Sequence, residues 1–257
     1  MAKTPIHRTY YEGDDDGAVL RALAKASLLP SDLQIVPRDD RQKNPGKDGM
    51  VKDLVALVNP SGGAGLSAVA VRDIDDLSHD QVRDWFVQKM NSELPPSTPA
   101  VQLNVQAGTV KVSLIRLEVT GLAHAGRAVV VSAGLAGGAA AKNYGVSQFA
   151  IDDYVLLLAR EKSVYESVSE FSEAGYDLAM KKLSEITQLM QNNGIPIKHT
   201  KRLMHVLRAV TGFRASPAAF ADRLVTQAVA TLGLAQVRSL FLPLIESLEE
   251  ASKILTP

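Results

Sequence analysis

The sequence predicts an α/β protein: an open, mostly parallel sheet flanked by helices over residues 1–147, followed by an all-helical region over residues 148–257. Three observations lead there. Strand-like and helix-like apolar periods alternate through the first hundred residues, the order that a parallel sheet with crossover helices requires. The run Ala68-Val69-Ala70-Val71 is apolar without alternation, as expected of a central strand buried on both faces. From Phe149 onward apolar residues recur at three- and four-residue spacing almost without a break.

In order, Thr9-Tyr10-Tyr11 is a short β-prone run ended by Gly13. Val19, Leu20, Leu23 and Ala24 recur at helical spacing between Gly17 and Ala26. Leu33-Gln34-Ile35-Val36 reads as a second strand, and Val51, Leu54, Val55 and Val58 as the buried face of a second helix. Asn59-Pro60-Ser61-Gly62-Gly63 is a turn. After the third strand, Ser78 starts a helix carrying Val82, Trp85, Phe86 and Met90. Beyond Pro95-Pro96, the runs Val101–Val105, Val110–Val119 and Ala128–Val131 predict three more strands, some of them paired as hairpins. The small-sided stretch Gly134–Gly138 lacks the Lys-Ser/Thr ending of a P-loop and reads as a connection. Helices are then expected near 149–160, 163–173, 176–192, 199–211, 217–232 and 235–254. Breaks fall at Gly175, at Asn192-Asn193-Gly194-Ile195-Pro196 and at Ser216-Pro217, where Ser suits the N-cap and Pro the first helical turn.

Composition bounds the function. The chain has 257 residues, 46% of them hydrophobic, which supports a sizeable core and excludes a wholly disordered chain. It has no Cys, which excludes a disulfide scaffold and a Cys-ligated zinc site. No apolar run approaches the roughly 20 residues that cross a bilayer, so no membrane role is expected. The N-terminal Met-Ala-Lys-Thr-Pro-Ile-His-Arg has no apolar secretory core, and a cytoplasmic location is the expectation. Lys and Arg balance Asp and Glu at 28 each, but unevenly along the chain. Between 190 and 238 lie seven bases (Lys198, Lys201, Arg202, Arg208, Arg214, Arg223, Arg238) against the single acid Asp222. An acidic front and a basic helical back are consistent with a metal site near a polyanion.

Three acidic stretches stand where a sheet domain places its chemistry. Tyr11-Glu12-Gly13-Asp14-Asp15-Asp16-Gly17 follows the first strand, Val71-Arg72-Asp73-Ile74-Asp75-Asp76 follows the third, and Ile151-Asp152-Asp153-Tyr154 opens the first C-terminal helix. Ligands of open α/β sheets sit beyond the carboxyl ends of the strands, so Glu12 and Asp73 should project into one crevice. Crowded carboxylates repel unless a cation neutralises them, and hard oxygen donors favour Mg²⁺ or Mn²⁺. In an extended Asp73-Ile74-Asp75 both acids face one side, and Glu12 and Asp16 align if the chain between them coils. Asp14, Asp15 and Asp76 read instead as solvated first-turn acids. Lys47, on a loop before the second helix, could touch a phosphate. Lys198, Lys201, Arg202, His205 and Arg208 share a helical flank that could neutralise a nucleic-acid backbone.

Together, strand-Glu-Gly-x-x-Asp-helix and, about 60 residues on, strand-Asp-x-Asp-helix resemble the Toprim fold shared by topoisomerases, primases and several nucleases. The immediate helix after Glu-Gly-x-x-Asp, and Ile151-Asp152-Asp153-Tyr154-Val155-Leu156 downstream, are most similar to single-Toprim and overcoming-lysogenization-defect nucleases. The resemblance spans residues 8–160. It implies Glu12 as general acid or base or metal ligand, Asp73 and Asp75 as Mg²⁺ ligands, Asp16 assisting the first ion, and Asp152 or Asp153 completing a second site. The expected function is a Mg²⁺- or Mn²⁺-dependent nuclease acting on DNA or RNA. The alternative is a non-catalytic, Toprim-like regulatory or partner-binding protein. In that alternative Leu224, Val225, Leu232, Leu240, Leu244 and Leu248 could form a homodimer face or bind another protein; packing inside one chain explains the same stripe.

Overall fold

The computed structural model describes residues 6–36, 46–58, 67–73, 75, 77–93, 102–107, 114–120, 126–133, 150–195, 197 and 200–256. Among them lie six strands, β1 (His7–Tyr11), β2 (Leu33–Ile35), β3 (Ser67–Asp73), β4 (Gln102–Ala107), β5 (Leu114–Thr120) and β6 (Gly126–Ala133). They form one sheet in the order β2-β1-β3-β6-β5-β4. The first four positions are parallel, with Tyr11 opposite Val71 and Asp73 opposite Ala133. The last two are antiparallel, β4 on β5 and β5 on β6, as the predicted hairpins require. The architecture is α/β.

Three helices accompany these strands: α1 (Asp14–Lys25), α2 (Lys47–Val58) and α3 (His79–Glu93). Period-2 alternation decides which side of the sheet each residue serves. Tyr10, Ala68 and Ala70 face α2 and α3, meeting Met50, Val51, Leu54, Val82, Phe86 and Met90. Tyr11, Val69 and Val71 face the other way, toward α1 and the C-terminal helices. Ser78 caps α3 reciprocally: Gln81 N–H donates to Ser78 Oγ and Ser78 N–H to Gln81 Oε1.

The C-terminal helices are α4 (Asp152–Arg160), α5 (Lys162–Ser167), α6 (Tyr176–Asn192), α7 (Thr200–Thr211), α8 (Pro217–Leu232), α9 (Leu234–Leu240) and α10 (Leu242–Leu255). Ser216 caps α8 through its Oγ, which accepts from Ala219 N–H at 3.2 Å, and Pro217 follows as expected. Two of the predicted helices are altered. The one expected over 163–173 ends at Ser167, and the chain then turns so that Tyr165 donates its hydroxyl to the Ala174 carbonyl. The one expected over 235–254 divides at Phe241, which is fully buried against Tyr154, with Pro243 unable to continue the ladder of the preceding helix. The predicted connections at 59–63 and 134–138, and the expected boundary at 147, lie outside the described residues.

The two parts of the chain share one interior. α10 lies against β6 and β3, and α8 against α1. A single apolar cluster runs from Val19, Leu20 and Leu23 of α1 through Val155 and Leu158 of α4 to Ile245 and Leu248 of α10. The leucine stripe considered as a dimer face is spent there: Leu224, Val225, Leu244 and Leu248 are buried, with Leu232 and Leu240 packed on the same cluster. No helix of the described residues is long and apolar enough to cross a membrane.

Candidate functional site

β1 and β3 are neighbours and parallel, so their carboxyl ends open side by side. Glu12 follows the end of β1 and Asp73 closes β3. α1 begins two residues after Glu12, and its Asp16 folds back so that Gly13 N–H donates to Asp16 Oδ2 at 2.6 Å. This close return explains Gly13: a β-carbon there would stand 2.5 Å from Asp15 Oδ1 and 3.1 Å from Asp16 Oδ2. Gly17 is required for a similar reason, since its β-carbon would lie 2.3 Å from the Tyr11 ring. From the other direction, Ile151 N–H donates to Asp73 Oδ1 at 2.8 Å, tying the end of β3 to the start of α4. Asp152 is therefore delivered to the same place by tertiary contact and is buried there.

Like charges in a dry place hold protons tightly. Burial, reinforced by Asp75 and opposed by Lys47 and Arg72, pushes Glu12 up to about 7. Burial and then the charges of Asp15, Asp152 and Glu12 hold Asp16 well above the usual carboxylate range. Burial and the charges of Asp16, Glu12 and Asp152 do the same to Asp73. Asp152 rises to about 7 through burial and Asp15, against the pull of Lys201. The charges of Glu12 and Asp152 act on both Asp16 and Asp73, and that of Asp16 acts on Asp73, so the four form one electrostatic unit. Asp153 is raised to about 6 by burial but is satisfied locally: Thr200 donates its hydroxyl to Oδ1 and Ala150 N–H donates to Oδ2.

Three cations edge this unit. Arg72, 1% exposed, places Nε 3.4 Å from Glu12 Oε1, donates to the Asp73 carbonyl at 3.3 Å and stacks 4.5 Å above the Trp85 ring. Lys47 is paired with Asp75. Lys201 Nζ lies 2.7 Å from Asp15 Oδ2. A cleft of about 320 Å³ opens beside them, lined by Asp73, Asp75, Asp152, Lys201, Arg202 and His205.

Of the predicted site residues, Glu12, Asp16, Asp73 and Asp152 come together. Asp75 joins them differently from the expected extended Asp-x-Asp. Regular pairing of β3 ends at Asp73, and Asp75 has φ +55, so its carboxylate turns to Lys47 while still lining the cleft. Lys47 is the first residue of α2 rather than a loop residue, and its amine is committed to Asp75. Lys201 and Arg202 face the cleft; Arg208 instead donates to the Ala215 carbonyl at 3.0 Å. Lys198 lies outside the described residues.

Asp15, expected to be solvated, is 6% exposed and ion-paired with Lys201. Nothing local in the sequence marks Arg72 or Trp85 as a site residue. The available signal was a charged residue directly continuing the apolar run Ala68–Val71, where burial on both faces demands a specific partner.

The donor set is entirely hard oxygen, and the carboxylates repel one another, so in chemistry they fit a divalent cation such as Mg²⁺ or Mn²⁺. As arranged, no group of three or more His, Asp or Glu side chains among the described residues is placed to hold a metal ion. No protein-family model, curated protein or solved structure matches the chain.

Proposed function

We propose that this chain is a Toprim-type, Mg²⁺- or Mn²⁺-dependent phosphodiester-processing enzyme, most simply a nuclease acting on DNA or RNA. One observation carries the reading: Glu12, Asp16, Asp73 and Asp152 are crowded at the carboxyl ends of two parallel strands, where their charges act on one another, beside a cleft whose far wall is the basic start of α7. Glu12, Asp16, Asp73 and Asp152 would hold the cation once drawn closer together than they stand here, with Asp75 next to them. A divalent ion there would supply neutralisation of phosphate charge and an activated water. The chain's own residues supply the rest. Glu12, raised to about 7 in the metal-free protein, would be held ionised beside a cation and so be able to accept a proton. Asp73 is oriented by the Ile151 amide. Lys201 and Arg202 present positive charge to a phosphate in the cleft.

The test is cleavage of single- and double-stranded DNA and RNA with Mg²⁺ or Mn²⁺, compared between the wild-type chain and a Glu12→Gln, Asp73→Asn variant. Cleavage only by the wild type supports the reading; equal cleavage by both overturns it. A second reading, a non-catalytic regulatory or partner-binding protein, is favoured by the pairing of Lys47, Arg72 and Lys201 with Asp75, Glu12 and Asp15. Thermal stabilisation by Mg²⁺ with no hydrolysis of any substrate would select it.

A further inference from the structure

The carboxylate cleft is one end of a longer feature. Lys201 lines it on one side and on the other lines a second hollow of about 320 Å³, formed with Gly13, Asp14, Asp15 and the first residues of α8, Ser216 to Ala218. Immediately before and after those α8 residues, Arg214, Ala215 and Ala219 line a third and larger cavity of about 580 Å³. The three hollows follow one another along the start of α7, the start of α8 and the end of α1.

The far cavity has the chemistry of a nucleotide subsite. Three bases line it, Lys25 from the end of α1, Arg214 from the α7–α8 turn and Arg223 from α8, against the acids Glu170 and Asp222. Glu170 is already taken by Arg223 at 2.5 Å. Lys25 and Arg214 are exposed and make no ion pair among the described residues. Phe213 adds a half-buried aromatic ring to the wall, packed edge-to-face with Phe171 and Phe220, with Ala215 and Ala219 as small neighbours. Cations for phosphate beside an aromatic face for a base are the two components of sequence-tolerant single-strand recognition. A duplex cannot offer a base to such a ring, because its bases are stacked and paired.

We propose that this chain holds a single nucleic-acid strand along that path, with one phosphate at the carboxylate cleft and a nucleotide several positions away seated against Lys25, Arg214 and Phe213. The proposal deepens the nuclease reading by naming its substrate class, and it rests on that reading for the position of the phosphate in the cleft. The far subsite is an affinity element rather than a catalytic one.

Binding measured without divalent ions separates the two ideas, because nothing is then cut. Fluorescein-labelled oligothymidylates of 4 and 12 nucleotides, and a 12-base-pair duplex, are titrated by anisotropy. The wild type should bind the 12-mer at least tenfold more tightly than the 4-mer and more tightly than the duplex. In a Lys25→Glu, Arg214→Glu variant the advantage of the 12-mer should fall to within threefold. Each lost phosphate contact should also flatten the salt dependence by roughly 0.7 in log–log slope. Both side chains are exposed, so an unchanged circular-dichroism melt verifies folding, and the milder Arg214→Gln should show a smaller loss in the same direction. Equal affinity of wild type and variant for the 12-mer, preference for the duplex, or no binding of any strand overturns the proposal. Length-dependent binding lost in the variant, with no cleavage of any substrate when Mg²⁺ or Mn²⁺ is restored, leaves the strand path standing and removes the nuclease reading alone.

Discussion

The parallel strands β1 and β3 bury ionisable groups at both ends, and the two ends treat them in opposite ways. At the amino ends, His7 is fully buried yet surrounded by partners. Ser67 Oγ is 2.5 Å from His7 Nδ1, Thr256 Oγ1 3.4 Å from Nε2, and Asp32 Oδ2 also 3.4 Å from Nε2. Asp32 in turn accepts from Ser252 Oγ at 2.6 Å, so strands, loop and α10 are stitched into one network. Burial lowers the basicity of His7 while Asp32 opposes it, and the ring is accommodated as a hydrogen-bonding group. At the carboxyl ends, Asp16 and Asp73 face the charges of Glu12 and Asp152, and only the edge of the group meets cations, Arg72 at Glu12 and Lys201 near Asp152. A satisfied polar cluster contributes stability, whereas an assembly of like charges costs it and persists where something else is gained. One end of the sheet is tied together by hydrogen bonds, and the other gathers like charge.

That contrast can be broken or sharpened by experiment. The largest expected effect is chemical. Glu12→Gln with Asp73→Asn should reduce any Mg²⁺-dependent cleavage by roughly a hundred- to ten-thousand-fold, while raising the thermal midpoint of the metal-free protein by removing repulsion. A lower midpoint would show that these acids stabilise the fold.

Next comes pH. A carboxylate whose folded pKa lies above its unfolded value adds stability below the unfolded value, and that contribution is lost as pH rises through the folded one. Glu12 moves from 4.5 to about 7 and Asp152 from 3.8 to about 7. Metal-free protein should therefore lose stability between pH 4 and 7 and melt lower at pH 8 than at pH 5. Millimolar Mg²⁺ or Mn²⁺ should restore the midpoint more at pH 8 than at pH 5. Calorimetry with and without EDTA checks both, and a midpoint indifferent to the ion at pH 8 would remove the binding end of the comparison.

At the other end, His7→Ala should cost about 1–3 kcal/mol in urea unfolding, because Ser67 and Asp32 lose a buried partner. The response to Mg²⁺ should survive it. The smallest change is expected for Ser252→Ala, about 1 kcal/mol for one hydrogen bond to Asp32.

Much of the architecture was legible in the residues. The unbroken apolar run at 68–71, the tyrosines at 10 and 11 and the Ser216-Pro217 cap specified elements that the structure contains, because period and capping act within a few residues of chain. The helix breaks after Ser167 and at Phe241 were not legible, since each depends on a ring finding a distant partner: Tyr165 meets the Ala174 carbonyl and Phe241 stacks on Tyr154. The site was legible as a set of acids but not as a set of pairings. Nothing local announces that Asp15 will meet Lys201, or that Asp75 will leave the strand direction for Lys47.

The sequence by itself determined which residues are acidic, where strands hand over to helices, and hence that Glu12 and Asp73 stand at the same end of neighbouring strands. Only the tertiary structure decided that Asp16 and Asp152 close in on them, that Arg72 is buried beside Glu12 over Trp85, and that the basic start of α7 walls the cleft. The reason is physical. Periodicity and caps are short-range properties of the chain, whereas a carboxylate's charge state depends on solvent exclusion and on charges brought near it by distant segments, as Lys201 is brought to Asp15 from 186 residues away.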